Sequence, residues 1–314
     1  MAKTSRQTAR QWIVTHEWMV NPMQQTEWIE GQGLLIWLAE VFSSLGTGLY
    51  LVSIFVSNWW GALIGWLIVV GLKLPLHMIY LGKPWRFWRA MPPFTKAWRT
   101  SWIARGTFFS VVFSALGLCQ LASSYFIPGS GIDILIKVFA GFFCVLTGIY
   151  CGFAMSYCKS LPFWNTGLLP IVIMNAGIAD GLALLLGLGM ITGGVDFTTI
   201  EMVTRILLLG NVLLISTYVM NGFYRSSTGG FSSRELMKGR AAFPFWVGTI
   251  LLGIVVPMAI SLQTLWGGGE TALGLMIVAV AAHTCGAFGL KYCILKVGFY
   301  EPILPKAKIF GKAV

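Results

Sequence analysis

The sequence predicts an all-α integral membrane protein, with eight transmembrane helices arranged as two four-helix bundles. Three observations carry that prediction. Of 314 residues, 56% are hydrophobic and only 11% charged, where a soluble domain has about 25% charged residues. Eight segments hold the roughly 20 predominantly apolar residues that a span requires. Their length and their Gly, Leu and Phe content suit helices, whereas a β-barrel would show short alternating segments. The loops, finally, sort by charge. One side carries Lys3, Arg6, Arg10, the 81–101 loop, Lys159, Arg225, Arg234, Lys238, Arg240, Lys306, Lys308 and Lys312; the other has only Asp133, Asp196 and Glu270. An even number of spans returns the chain to its starting side, and the positive-inside rule puts both termini in the cytoplasm.

Residues 1–31 are polar and read as a surface segment (His16, Glu17, Trp18, Trp28, Glu30). The apolar run that follows is too long for the core of a cleavable signal peptide. The first bundle covers 32–156. Span 1 (32–57) contains Gly46 and Gly48 and places Glu40 about eight residues, or roughly 12 Å, below the basic surface. Span 2 (59–80) brings Lys73 back to that level and His77 one turn nearer the surface, with Pro75 as a candidate break. Span 3 (102–127) starts with Arg105, and span 4 (133–156) holds Tyr150 near its basic end.

The second bundle covers 165–296, with spans at 165–191, 201–223, 242–264 and 271–296, and a basic tail follows at 297–314. It contributes Pro170, Asn175, Asp180 and His283. Lys137, Arg205 and Lys291 lie toward span ends, where long side chains snorkel. Trp59, Trp60, Trp85, Trp88, Trp98, Trp102, Trp164, Trp246 and Trp266 fall near span ends, as an aromatic belt requires.

Ionisable groups inside spans are candidates for function because burying charge in lipid costs several kcal/mol. Glu40, Lys73, His77, Arg105 and Tyr150 share one depth and are expected to line a polar pocket on the basic side. Such a pocket suits a quinol, whose hydroxyls need partners that accept protons near neutral pH. The alternative is a Glu40–Lys73 ion pair that only joins two helices. Asp180, Asn175 and His283 either continue a proton path or hydrogen-bond between helices. Arg86, Arg89, Lys96 and Arg99 either hold a partner by charge complementarity or anchor headgroups of the bilayer.

No metal site is expected. The six cysteines include no CxxC pair and mostly sit in apolar runs, where a thiol behaves as a small hydrophobe. Neither iron–sulfur cluster nor haem is expected in this chain. His77 and His283 differ in depth by roughly 7 Å, which is poor for ligating one haem, and a di-haem site needs four ligands. The net charge of +11 lies in membrane loops and is no signal of nucleic-acid binding.

Leu81-Gly82-Lys83-Pro84-Trp85-Arg86-Phe87-Trp88-Arg89, with Ser101-Trp102-Ile103-Ala104-Arg105-Gly106 after it, resembles the loop of the NrfD/PsrC-like polysulfide reductase membrane subunits. That family shows LGRP-x-RFW followed by SW-I-x-RG, so Lys83 replaces the usual Arg. The resemblance implies a haem-free membrane subunit that binds quinone (menaquinone or ubiquinone) in a bacterial or archaeal cytoplasmic membrane. It also implies a ferredoxin-like iron–sulfur subunit as partner, wired to a molybdopterin (Mo-bisMGD) catalytic subunit, so this chain alone is not catalytic. The family pocket uses a tyrosine and a histidine of the first bundle. Tyr150 matches by position; the family histidine lies nearer span 1, where this chain offers only His16, and His77 is the candidate read from depth. Two rivals stand beside this reading: a secondary transporter using Glu40, Lys73, Asp180 and His283 as a relay, and a purely structural anchor.

Overall fold

The computed structural model describes residues 17–89, 91–93, 95–267 and 271–304. His16, Lys3, Arg6, Arg10, Glu270, Lys306, Lys308 and Lys312 lie outside the described residues. Among the described residues, eight helices are long and apolar enough to cross a membrane: Gly31–Phe55, Trp59–Tyr80, Trp102–Phe126, Gly131–Ser156, Leu168–Thr192, Phe197–Arg225, Pro244–Gln263 and Leu273–Lys296. These are spans 1 to 8, each within a few residues of its expected position. Where boundaries moved, capping accounts for two of them. Ser130 accepts from the Asp133 N–H (3.1 Å) and Asp196 from the Thr199 N–H (3.3 Å), starting spans 4 and 6 earlier than hydropathy alone suggests.

Span 1 is the most buried of the eight and span 5 the next. Span 1 packs most extensively on spans 2 and 5 and also on spans 4 and 8; spans 3 and 4 pair closely, as do spans 7 and 8. Glycine permits the central contact. A methyl group on Gly48 would overlap the Gly177 carbonyl, and one on Gly181 would overlap Gly48, so the two backbones meet as membrane helices with small interfacial residues do. Gly46 serves span 2 in the same way, facing Ile68, Val69 and Gly65.

Two spans depart from a regular α-helix. Val69–Lys73 is a π-helical turn inside span 2, and Pro244–Val255 is π-helical in span 7. Each is followed two residues later by a proline, Pro75 and Pro257, which gives no N–H and crowds the carbonyl four residues back. Widening the turn relieves that crowding without breaking the span. Pro170 breaks nothing, because it sits in the first turn of span 5, where N–H groups have no helical partner anyway.

The basic end of the molecule is tied together by polar contacts. Strands Met23–Gln24 and Phe299–Tyr300 pair antiparallel, so the stretches before span 1 and after span 8 meet at one end. Gln25 donates from its side chain to the Leu295 carbonyl (2.5 Å), and Lys296 pairs with Glu30 (2.7 Å). Gln25 and Ile29 are both buried, so the described residues just before span 1 contribute to the packed end. Trp164 is buried too, not belted in the interface, and its indole donates to the Ile294 carbonyl (2.7 Å).

Candidate functional site

A cavity of about 340 Å³ opens at the basic end between spans 1, 2, 3 and 4, within the size range of small-molecule pockets. Glu40, Lys73, His77 and Tyr150 line it together, amid mostly apolar side chains. The structure thus brings together four of the five residues expected there. Leu81 and Phe87 from the tryptophan-rich loop also line it, so the loop motif forms part of its wall.

His77 organises the polar side. Its Nδ1 lies 3.3 Å from the Lys73 carbonyl, which can only accept, so this nitrogen carries the hydrogen. Nε2 is left with its lone pair and accepts from the Tyr150 hydroxyl at 3.1 Å. The same Nε2 is 3.9 Å from Oε1 of Glu40, a carboxylate oxygen that is buried without a hydrogen-bond partner among the described residues. The Glu40–Lys73 alternative is not formed: the described ion pairs do not include it, and Lys73 Nζ donates instead to Ser110 Oγ (2.5 Å). From there the ammonium faces the Tyr150 ring, 4.8 Å from its centroid, at cation–π distance.

Local sequence explains these positions. The π turn ends at Lys73, and such turns concentrate at functional sites. Lys73 and His77 are four residues apart on span 2, one turn along a common face. Gly106, the last residue of the loop motif, seats Tyr150: a methyl group there would run into the tyrosine ring.

Arg105 is the exception among the expected pocket residues. It lies outside the cavity wall and donates to the carbonyls of Trp98 (2.9 Å) and Arg99 (2.6 Å) while stacking on Trp102 at 4.6 Å. It thereby caps the short helix Lys96–Thr100, whose last carbonyls have no helical donor. A cation at the mouth of a span reads equally as a pocket or a capping residue, and only the fold separates the two. Arg86, Arg89, Lys96 and Arg99 are all exposed at the basic end, beside Trp85 and Trp88.

The second group of candidates divides. Asp180 and His283 meet, with Nε2 of the ring 3.0 Å from Oδ1, and Ser44 of span 1 donates to Oδ2 (2.6 Å). Asn175 stands apart from them and donates to the Leu207 carbonyl (3.1 Å) and Asn211 (2.9 Å), joining spans 5 and 6. Arg205 pairs with Glu201 (3.0 Å), and Lys137 with Asp133 (3.0 Å). Lys291 does not snorkel; it is 4% exposed with its Nζ buried. Its position toward a span end concealed that, although its spacing of eight residues from His283 was a signal. Ser110 and Cys151, which also line the cavity, carried no signal beyond being small polar residues in apolar spans.

Comparison with known proteins agrees with this architecture. The sequence is 25% identical over 259 residues to Protein NrfD of Escherichia coli (strain K12), covering 72% of this chain and 78% of that protein. It is 26% identical over 261 residues to the C subunit of the polysulfide reductase of Wolinella succinogenes, covering 76% and 80% respectively. The family model described as polysulphide reductase, NrfD, matches residues 53–301, from the end of span 1 through span 8 and the loop motif. With eight spans, that loop and a match over most of its length, the chain belongs to the polysulphide reductase, NrfD family of membrane proteins.

Proposed function

We propose that this protein is the quinone-exchanging membrane subunit of a multisubunit respiratory oxidoreductase. It passes electrons between the quinone pool and an iron–sulfur partner of a molybdopterin enzyme. The observation that carries this reading is the convergence of His77, Tyr150 and Glu40 on one largely apolar cavity at the basic end. A quinol, when bound, supplies two electrons and two protons; everything else rests on side chains of the first bundle, 32–156.

His77 is held in the tautomer that offers its Nε2 lone pair toward the cavity, which is what a general base requires. Tyr150 donates to that nitrogen and keeps the ring oriented until a ligand hydroxyl competes for it. Glu40 at 3.9 Å stabilises the imidazolium and is the next proton acceptor. Lys73, anchored by Ser110, supplies positive charge where an anionic oxygen develops. Ile36, Leu74, Met78 and Val111 line the remainder and exclude water.

In this reading the partner docks on the basic end through Arg86, Arg89, Lys96 and Arg99, and the charge bias supports a cytoplasmic position for that end. Quinol-dependent reduction of the iron–sulfur partner in the assembled complex tests the proposal. Loss of reduction in His77→Ala supports it; wild-type rates in both His77→Ala and Tyr150→Phe would refute it. A protein that purifies alone and moves a solute would favour the transporter reading instead.

A further inference from the structure

A second polar cluster lies deeper, where spans 1, 5, 7 and 8 meet. The His283 Nδ1 donates to the Gly253 carbonyl at 2.8 Å. Pro257, four residues on, has no N–H to give that oxygen, and close contact between Gly253 and Gly286 brings the two spans within reach. With its hydrogen committed there, a neutral ring would point the Nε2 lone pair at Asp180 Oδ1, 3.0 Å away. Two acceptors at that distance repel, and a proton held by the pair removes the repulsion. Asp180 Oδ2 is already satisfied by Ser44.

Lys291 completes the group. Its buried Nζ has no hydrogen-bond partner among the described residues, and it stands about two turns along span 8 from His283, toward the basic end. Ser44, which holds Asp180, stands one helical turn from Glu40 on span 1, so the cluster adjoins the wall of the first cavity. On its other side, a cavity of about 30 Å³ is lined by His283, Thr204, Ser261, Thr271 and Glu201, which is room for water. Glu201 is five residues into span 6 from the acidic face, held by Arg205 (3.0 Å) and Thr271 (2.7 Å).

We propose that Asp180, His283 and Lys291 form a proton-holding site inside the membrane. It is coupled to Glu40 at one end and exchanges protons with the opposite membrane face past Glu201. The coupling rests on the quinone reading of the Glu40 cavity. A proton released to His77 and Glu40 as electrons leave raises the positive charge near Lys291 and drives the proton held by Asp180 and His283 toward Glu201. Only O–H and N–H bonds form and break, and the electrons leave through the iron–sulfur partner.

The test uses the full-length protein in lipid nanodiscs with a short-chain quinone, reduced electrochemically while infrared difference spectra are recorded. Quinone binding is followed separately by quenching of tryptophan fluorescence, since Trp28 lines the first cavity. A carboxyl C=O band responding to quinone reduction should vanish in Asp180→Asn and shift in Asp180→Glu, with quenching unchanged. Glu201→Gln should retain the band but slow its exchange with external heavy water at least tenfold. The proposal falls if Asp180→Asn, or Asp180→Glu should Asp180→Asn fail to fold, gives the wild-type spectrum. It falls equally if exchange in Glu201→Gln is unchanged. Wild-type protein that shows no quenching overturns the quinone reading itself, an outcome distinct from an unmoved carboxyl band in protein that does bind.

Discussion

Replacing Gly106 by alanine should disable the cavity without replacing any of its polar side chains. The added methyl would lie against Cγ, Cδ2 and Cε2 of Tyr150. Ordinary contact needs about 3.4 Å, so the ring or span 3 must retreat by about 1 Å. Overpacking of this kind costs about 1–3 kcal/mol. The same shift carries the tyrosine hydroxyl away from His77 Nε2, now 3.1 Å distant, and past hydrogen-bonding range. Thermal unfolding in detergent reads the first effect, and quinol-dependent reduction of the iron–sulfur partner reads the second. Gly106→Ala is expected to lose at least as much quinol turnover as Tyr150→Phe, which removes the hydroxyl alone. Wild-type turnover and stability together would refute the idea that this glycine seats the tyrosine.

Other substitutions separate the roles. Tyr150→Phe removes one net hydrogen bond, about 0.5–1.5 kcal/mol, and should lower quinol oxidation roughly two- to twelvefold, checked by steady-state kinetics. With His77 as the proposed base, His77→Ala should lower it roughly 10²- to 10⁴-fold, with the iron–sulfur partner still bound in pull-downs. Arg105→Ala should leave quinone binding intact while releasing the Lys96–Thr100 helix and weakening partner capture; loss of quinone binding would return Arg105 to the pocket. Arg86→Ala combined with Arg89→Ala should slow partner association at low salt, and the difference should disappear near 1 M salt, where screening acts over about 3 Å.

The fold was largely legible in the sequence because lipid imposes one strong constraint, a long apolar run per span. The site was legible where depth alone decides position. Glu40, Lys73, His77 and Tyr150 share a level, and the structure gathers them around one cavity. Depth says nothing of azimuth, however. Asn175 is close to Asp180 in sequence yet faces span 6, and Arg105 turns back to cap a loop helix. The π turns at Val69–Lys73 and Pro244–Val255 were hidden because a proline signals a disturbance without telling a kink from a widened turn. Lys291 was concealed by its nearness to a span end, where snorkelling is the ordinary outcome. Its burial depends on how the neighbouring spans pack around it, which no single-span pattern encodes.

Photolabelling with a short azidoquinone asks whether a quinone enters the cavity at the basic end. Labelling should map to the segments that line the cavity, Leu74–Tyr80 of span 2, Ile103–Val111 of span 3 and Tyr150–Ala154 of span 4. It should be displaced by excess unlabelled quinone and diminished in His77→Ala. Displaceable labelling confined to the second bundle, with none on these three segments, would mean that the quinone binds elsewhere.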